Sequence, residues 1–261
     1  MKWLALIAVI ATGSLLIYAV SDFPDWGSAS SPANGGVEGA GRSVSQTFIE
    51  ETDTLTHVPN IVTAVLADYR GYDTMFETVV ILAAGMAIFA ILRVLRDTEK
   101  PVDQSKHDPS IDGDHQRIII GTTCRLLIPV IQLFALYVVA HGHHSPGGGF
   151  QGGVILGASF ILLGLATDLE TAIARFSEKQ FIGLACVGIF IYAGFGVLGQ
   201  FYGRGFLDYG ALQPIFMTDG EPMARSHAML GVEVGVAFTV TAIMFAIYAN
   251  LASKGELKNG L

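Results

Sequence analysis

Six apolar stretches, each close to the length a helix needs to cross a bilayer, constrain this chain more than any other feature. A crossing takes about 20 apolar residues at roughly 1.5 Å rise each. Segments 3–20, 74–95, 117–140, 152–166, 180–201 and 226–251 meet or approach that length. The fourth is short and glycine-rich, and is expected to begin inside the loop before it. Lipid offers no partner for open backbone groups, so runs of this kind fold as helices. Charged residues make up 15% of the chain and hydrophobic ones 51%, whereas a soluble domain carries about 25% charge. The fold class is therefore an all-α membrane protein with about six transmembrane helices, two plus four. A cleaved signal peptide is the rival for the first stretch. Its only positive residue there is Lys2, and no convincing small-x-small cleavage site precedes Asp22, so a retained helix is expected.

Basic residues set orientation through the positive-inside rule. With a cytoplasmic N-terminus, the inside segments hold ten Lys and Arg and the outside segments four, with Arg125 left in the membrane. Both termini are thus expected in the cytoplasm. The net charge of −8 is uneven, because the acids crowd into 22–73. It says little about acidic or basic partners, and nothing in the chain reads as a nucleic-acid footprint. Cys124 and Cys186 both lie in apolar runs and read as small buried hydrophobes rather than a disulfide framework. The polar stretch 97–114, with prolines and acids, divides the chain into a two-span module (1–96) and a four-span domain (115–261). Residues 21–58 read as a solvated connection. Ile61, Val62, Val65, Leu66 and Tyr69 repeat at helical spacing, as a short amphipathic helix would.

Ionisable groups inside spans are costly, so each is a functional candidate. Arg125 lies roughly 12 Å into the third span at helical rise. Pro129 cannot donate to the Arg125 carbonyl, which predicts a kink and a freed carbonyl, and Gln132 continues that face. A structural role is favoured for Arg125. Glu233 lies roughly 10 Å into the last span, framed by Gly231 and Gly235 at a spacing that permits close helix approach. It reads equally as a carrier of a proton or cation and as a hydrogen-bonding strut. Asp73 and Glu77 share a helix face, and on residue chemistry alone they read as acids favoured by the helix N-terminus.

Between the third and fourth spans runs His141-Gly142-His143-His144-Ser145-Pro146-Gly147-Gly148-Gly149-Phe150-Gln151-Gly152-Gly153. Histidines carry protons near neutral pH, so His141, His143 and His144 suit the mouth of an ion path. Structural hydrogen bonding is the plainer reading. Their spacing lacks the i, i+4 pair or the cysteine partners of a firm metal site, and no metal or cofactor is expected. Gly153 and Gly157, with Gly164 further on, predict a tightly fitted fourth helix. There is no phosphate-cradling loop and no serine with a base beside it, so an enzyme reading is poor.

From about residue 115 to 251 the chain resembles the B-type subunit (MnhB or MrpB) of multisubunit cation/proton antiporters. The resemblance is carried by the run from Gly142 to Gly153, similar to a Gly-His-x-x-Pro-Gly-Gly-Gly-Phe-x-Gly-Gly signature, and by Asp168 after it. It marks Pro146, Gly147, Gly148, Gly149, Phe150, Gly152 and Gly153 as motif residues. The stretch Asn60 to Glu77 is similar to the C-terminal part of the large A-type subunit. In membrane-bound hydrogenases that piece is a small subunit of its own. Tyr72 stands where phenylalanine is expected. The resemblance implies an accessory subunit in a prokaryotic plasma membrane, partnered by large A- and D-type and small C-, E-, F- and G-type subunits. The transported ions would be Na+ and H+. It raises Asp73 and Glu77 to candidates for an ion path, with Glu233 and the histidine loop shaping its outer end. The rivals are a self-sufficient cation or metal channel and a purely structural subunit.

Overall fold

The computed structural model describes residues 2–29, 31–34, 43–98 and 113–253. The expected linker 97–114 lies mostly outside them, as does 35–42 of the acidic connection. The chain divides into two compact units, Met1–Glu51 and Thr52–Leu261. The first holds helix α1 (Lys2–Val20) and the short α2 (Val44–Glu50). Ser43 starts α2 with a capping box, accepting from the Gln46 amide at 3.1 Å while Gln46 Oε1 accepts from Ser43 N at 3.2 Å.

The second unit carries α3 (Thr52–Thr56), α4 (Ile61–Ala64), α5 (Gly71–Thr98), α6 (Gly113–Ala140), α7 (Gly149–Ala166), α8 (Leu169–Arg175), α9 (Glu178–Phe201), α10 (Gln213–Phe216) and α11 (Glu221–Ala252). Among the described residues five helices are long and apolar enough to cross a membrane, namely α5, α6, α7, α9 and α11. The first expected span is the helix α1, whose apolar stretch Leu6–Val20 is shorter than these five. The observed helices run a few residues past the expected ends, because polar turns such as Glu221–Arg225 extend them beyond their apolar parts.

α11 is the hub, packing on α9, α7 and α5, while α6 packs on α7. Two thirds (67%) of its apolar window is buried, against 17% for α5. Small residues make this possible. A Cβ at Gly188 of α9 would lie 2.2 Å from the Gly235 carbonyl of α11, and one at Gly235 would lie 2.7 Å from the Gly188 carbonyl. Along α7, Gly153, Gly157 and Gly164 meet Ala237, Met244 and Tyr248 of α11. The tight fit predicted from these glycines is therefore made against the last helix. Polar side chains tie the same seams, as Thr239 Oγ1 donates to the Ala185 carbonyl (2.9 Å) and Thr241 Oγ1 to that of Gly153 (3.1 Å). Toward the Phe176 end, Phe160, Phe176, Phe181 and Phe245 form an aromatic cluster with centroids 5.0 to 5.9 Å apart.

The amphipathic stretch 61–69 is helical but not uniformly α. After α4 it continues as a π-turn, Val65–Tyr69, closed by a bond from the Arg70 amide to the Val65 carbonyl at 2.7 Å. The wider turn leaves carbonyls over, and Thr74 Oγ1 reaches back to that of Leu66 at 2.8 Å. Its inner face holds Ala67 and Asp68, both nearly inaccessible.

Candidate functional site

A cavity of about 250 Å³ opens where four segments meet: the α4 and π-turn stretch, α5 with Thr74 and Glu77, the Gly147–Gln151 start of α7, and α11 with Glu233. The sequence places Glu233 there because the helices beside it are bare of side chains. Gly231 and Gly235 face Phe195 and Gly188 of α9, so Glu233, between them, turns to the opposite side, toward the glycine run. A Cβ at Gly142 would lie 2.9 Å from Glu233 Oε2, and one at Gly148 would lie 2.9 Å from Oε1. One at Gly149 would lie 1.9 Å from the Glu233 carbonyl oxygen. Gly148 also sits at φ +114°, a conformation that favours glycine. The loop glycines thus let backbone close around one carboxylate.

Glu233 is 8% exposed, and its buried Oε2 has no hydrogen-bond partner among the described residues. A buried carboxyl oxygen of this kind is stabilised by whatever arrives from the cavity, whether proton, cation or water. Glu77 lines the same cavity from α5 and is otherwise exposed on the helix surface.

The loop is held from the segment around Asn60. Asn60 N donates to the His143 carbonyl at 2.9 Å, and Asn60 Nδ2 donates to the carbonyls of Gly142 (2.8 Å) and Ser145 (2.9 Å). Thr63 Oγ1 adds a bond to the Gly142 carbonyl at 2.7 Å. Nearby, Asp68 of the π-turn pairs with Arg225 of α11. Arg225 Nη2 donates to Oδ1 at 3.2 Å, and Nε lies 2.8 Å from Oδ2 at an angle that makes it an ion pair rather than a hydrogen bond. Burial pushes the Asp68 carboxyl up, and the arginine pulls it back.

Of the remaining candidates, Asp73 pairs with Arg70 and is outside the cavity lining. His141 stacks on Tyr137, centroids 4.0 Å apart, and its carbonyl accepts from the amides of His144 and Ser145. His143 has a buried, unpartnered Nε2, and burial, with His144 and His227, holds its imidazole below the usual histidine range. His144 and Pro146 are exposed, and Phe150 is exposed at the cavity edge. Cβ atoms at Gly147, Gly152 and Gly153 would strike the Val138 carbonyl, Val139 and the Ala237 carbonyl. These three glycines therefore seat the loop on α6 and α11. Arg125 is exposed on α6 and forms no ion pair among the described residues. Pro129 lies inside α6, and Gln132 Nε2 donates to Ser159 Oγ of α7 at 3.2 Å. Asp168 caps α8 through the Thr171 amide and hydroxyl, which lower its carboxyl. Among the described residues no three His, Cys, Asp or Glu gather as a metal would need. Asn60, Thr63 and the Asp68–Arg225 pair were not singled out from sequence, since their partners lie 79 to 157 residues away.

Residues 119–246 match the family described as a domain related to the MnhB subunit of Na+/H+ antiporter. That stretch is similar to an MnhB-type domain. Residues 37–108, ahead of it, match the MbhE family, described as the E subunit of MBH. A probable A/B subunit of a K+/H+ antiporter of Rhizobium meliloti is 26% identical over 63% of this chain and 18% of its own length. The Mrp complex of Dietzia sp. DQ12-45-1b contains a chain alike over 96% of this one and 26% of its own, with a TM-score of 0.62 and 24% identity. The MBS membrane-bound sulfane sulfur reductase, an archaeal respiratory complex, contains one alike over 93% of this chain and 97% of its own (TM-score 0.54, 25% identity). This chain spans only 18% of the Rhizobium relative and 26% of the Dietzia one. The MnhB-type domain and its relatives make this a multi-pass protein of a prokaryotic plasma membrane.

Proposed function

We propose that the chain is an accessory subunit of a multisubunit cation/proton antiporter, with a two-span module (1–96), a linker (97–114) and the MnhB-type domain. Its role on this reading is to help form the ion route and the assembly, without covalent catalysis. Its partners would be large A- and D-type and small C-, E-, F- and G-type subunits, and its ions Na+ and H+. The observation that carries the reading is the shared cavity of Glu77 and Glu233, which draws one carboxylate from each of two families' segments. Glu77 would take a cation at the exposed side of the cavity, and Glu233 would exchange with it from the buried side. The uneven basic residues favour cytoplasmic termini and an external histidine loop. Reporter fusions at both ends would reverse that topology if they read outside.

The test is cation-dependent proton movement in vesicles bearing the whole complex. Glu77→Gln and Glu233→Gln are each expected to abolish or greatly slow it at wild-type assembly levels. Full transport in both variants would overturn the site. A second setting is favoured by the length match to the MBS chain. There the same subunit would serve the antiporter-like module of a redox-driven complex. Co-purification of the tagged chain in mild detergent separates the two, because redox proteins accompany it only in the second. A chain that purifies alone would remove both.

A further inference from the structure

We infer that Asn60 and Thr63 are positioning residues that hold the glycine loop shut over Glu233, so that the MbhE-type segment sets access to a carboxylate of the MnhB-type domain. Both the Asn60 amide and the Thr63 hydroxyl converge on the Gly142 carbonyl, at 2.8 and 2.7 Å. A Cβ on Gly142 would lie 2.9 Å from Glu233 Oε2 and 2.8 Å from the Gly148 Cα, so the loop backbone closes over the carboxylate with no room for a side chain. Asn60 also fixes His143 and Ser145 of the turn through bonds of 2.9 Å each. Four hydrogen bonds from one short segment therefore set where the loop lies.

The bonds are of a kind that opens. Each joins a neutral donor to a backbone carbonyl, and a typical exchange of such a bond for one to water changes stability modestly. Thr63 lines the cavity, so its hydroxyl can turn to water there when the loop lifts. Opening would uncover Glu233 Oε2 from the Gly142 side while Oε1 keeps its side of the cavity.

The experiment is carbodiimide labelling of Glu233 in membranes carrying the whole complex, read by peptide mass spectrometry. Dicyclohexylcarbodiimide is apolar and adds to carboxyls in apolar surroundings once it can reach them, and Glu233→Gln supplies the unlabelled control. Thr63→Val is expected to label about five-fold faster, the factor for one lost hydrogen bond, and Asn60→Ala, which loses two, faster still. Thr63→Ser, which keeps the hydroxyl, is expected to label at the wild-type rate. Equal rates in Thr63→Val and Thr63→Ser would overturn the proposal. So would a slower rate in Asn60→Ala. If Asn60→Ala fails to assemble, the two Thr63 variants decide alone. The inference rests on the ion-route reading only for its consequence in transport. Labelling needs no ion flux, so the loop contact and the route can fail separately.

Discussion

Two buried glutamates in this bundle receive opposite treatment. Glu178, at the start of α9, is 3% exposed and takes an ion pair from Arg93 of α5. Glu233, in the middle third of α11, is 8% exposed and is surrounded by glycine backbone, with no ion pair among the described residues. Residue type and burial are nearly the same, so neither decides the role. A carboxylate given a fixed counter-charge is a joint between helices. One enclosed by bare backbone and open to a cavity is left to exchange.

Breaking the joint should cost most. Arg93→Ala leaves Glu178 buried with no counter-charge, and removal of one partner from a buried pair typically costs about 3–5 kcal/mol. The lower end is expected, because Glu178 also sits at a helix N-terminus. Thermal unfolding of the purified complex in detergent would show it, and an unchanged midpoint would mean the pair is not a joint. Next comes Gly149→Ala, whose Cβ would have to fit 1.9 Å from the Glu233 carbonyl. Overpacking of this kind costs about 1–3 kcal/mol, and here the obstacle is backbone. Normal assembly of that variant would show the loop to be looser than the structure has it.

A smaller effect attends His143. Its imidazole is held below the usual value of about 6.5 by burial and two histidine neighbours, so the unfolded chain binds the proton more readily. Stability should therefore be full above that value and fall as the pH drops below it, levelling once the folded imidazole is itself protonated. His143→Gln should flatten that part of the stability profile in pH-dependent melting. A profile that keeps its slope would assign it to other groups. Smallest for the fold is Glu233→Gln, expected to shift stability by under about 1 kcal/mol, since no ion pair is lost. A melting shift as large as that of Arg93→Ala would make Glu233 a strut and remove the contrast with Glu178.

Local pattern carried some of this and long-range contact carried the rest. The apolar runs mark out α5, α6, α7, α9 and α11, because a bilayer-length helix is specified by composition over its own length. Gly153 and Gly157 announced close packing for the same reason, though not its partner. Glu233 was visible as a charge in an apolar run. Asn60 carried no such signal, since its partners Gly142 and Ser145 lie 82 and 85 residues on and offer only backbone. Asp68 and Arg225 stand 157 residues apart, and only the fold makes them a pair. Asp73 shows how little a position along one helix says about surroundings. It shares a face with Glu77 by periodicity, yet Arg70 takes it and the cavity does not.

The contact between Asn60 and the glycine loop joins segments matching two families, yet both belong to one polypeptide. A covalent tether keeps two such surfaces at an effective concentration in the millimolar range for short flexible links. Their contact then need not be tight enough to recruit a partner from solution, and a few neutral hydrogen bonds suffice. Association comes from the chain itself, which leaves the strength of the contact free to be set for the speed at which it opens and recloses.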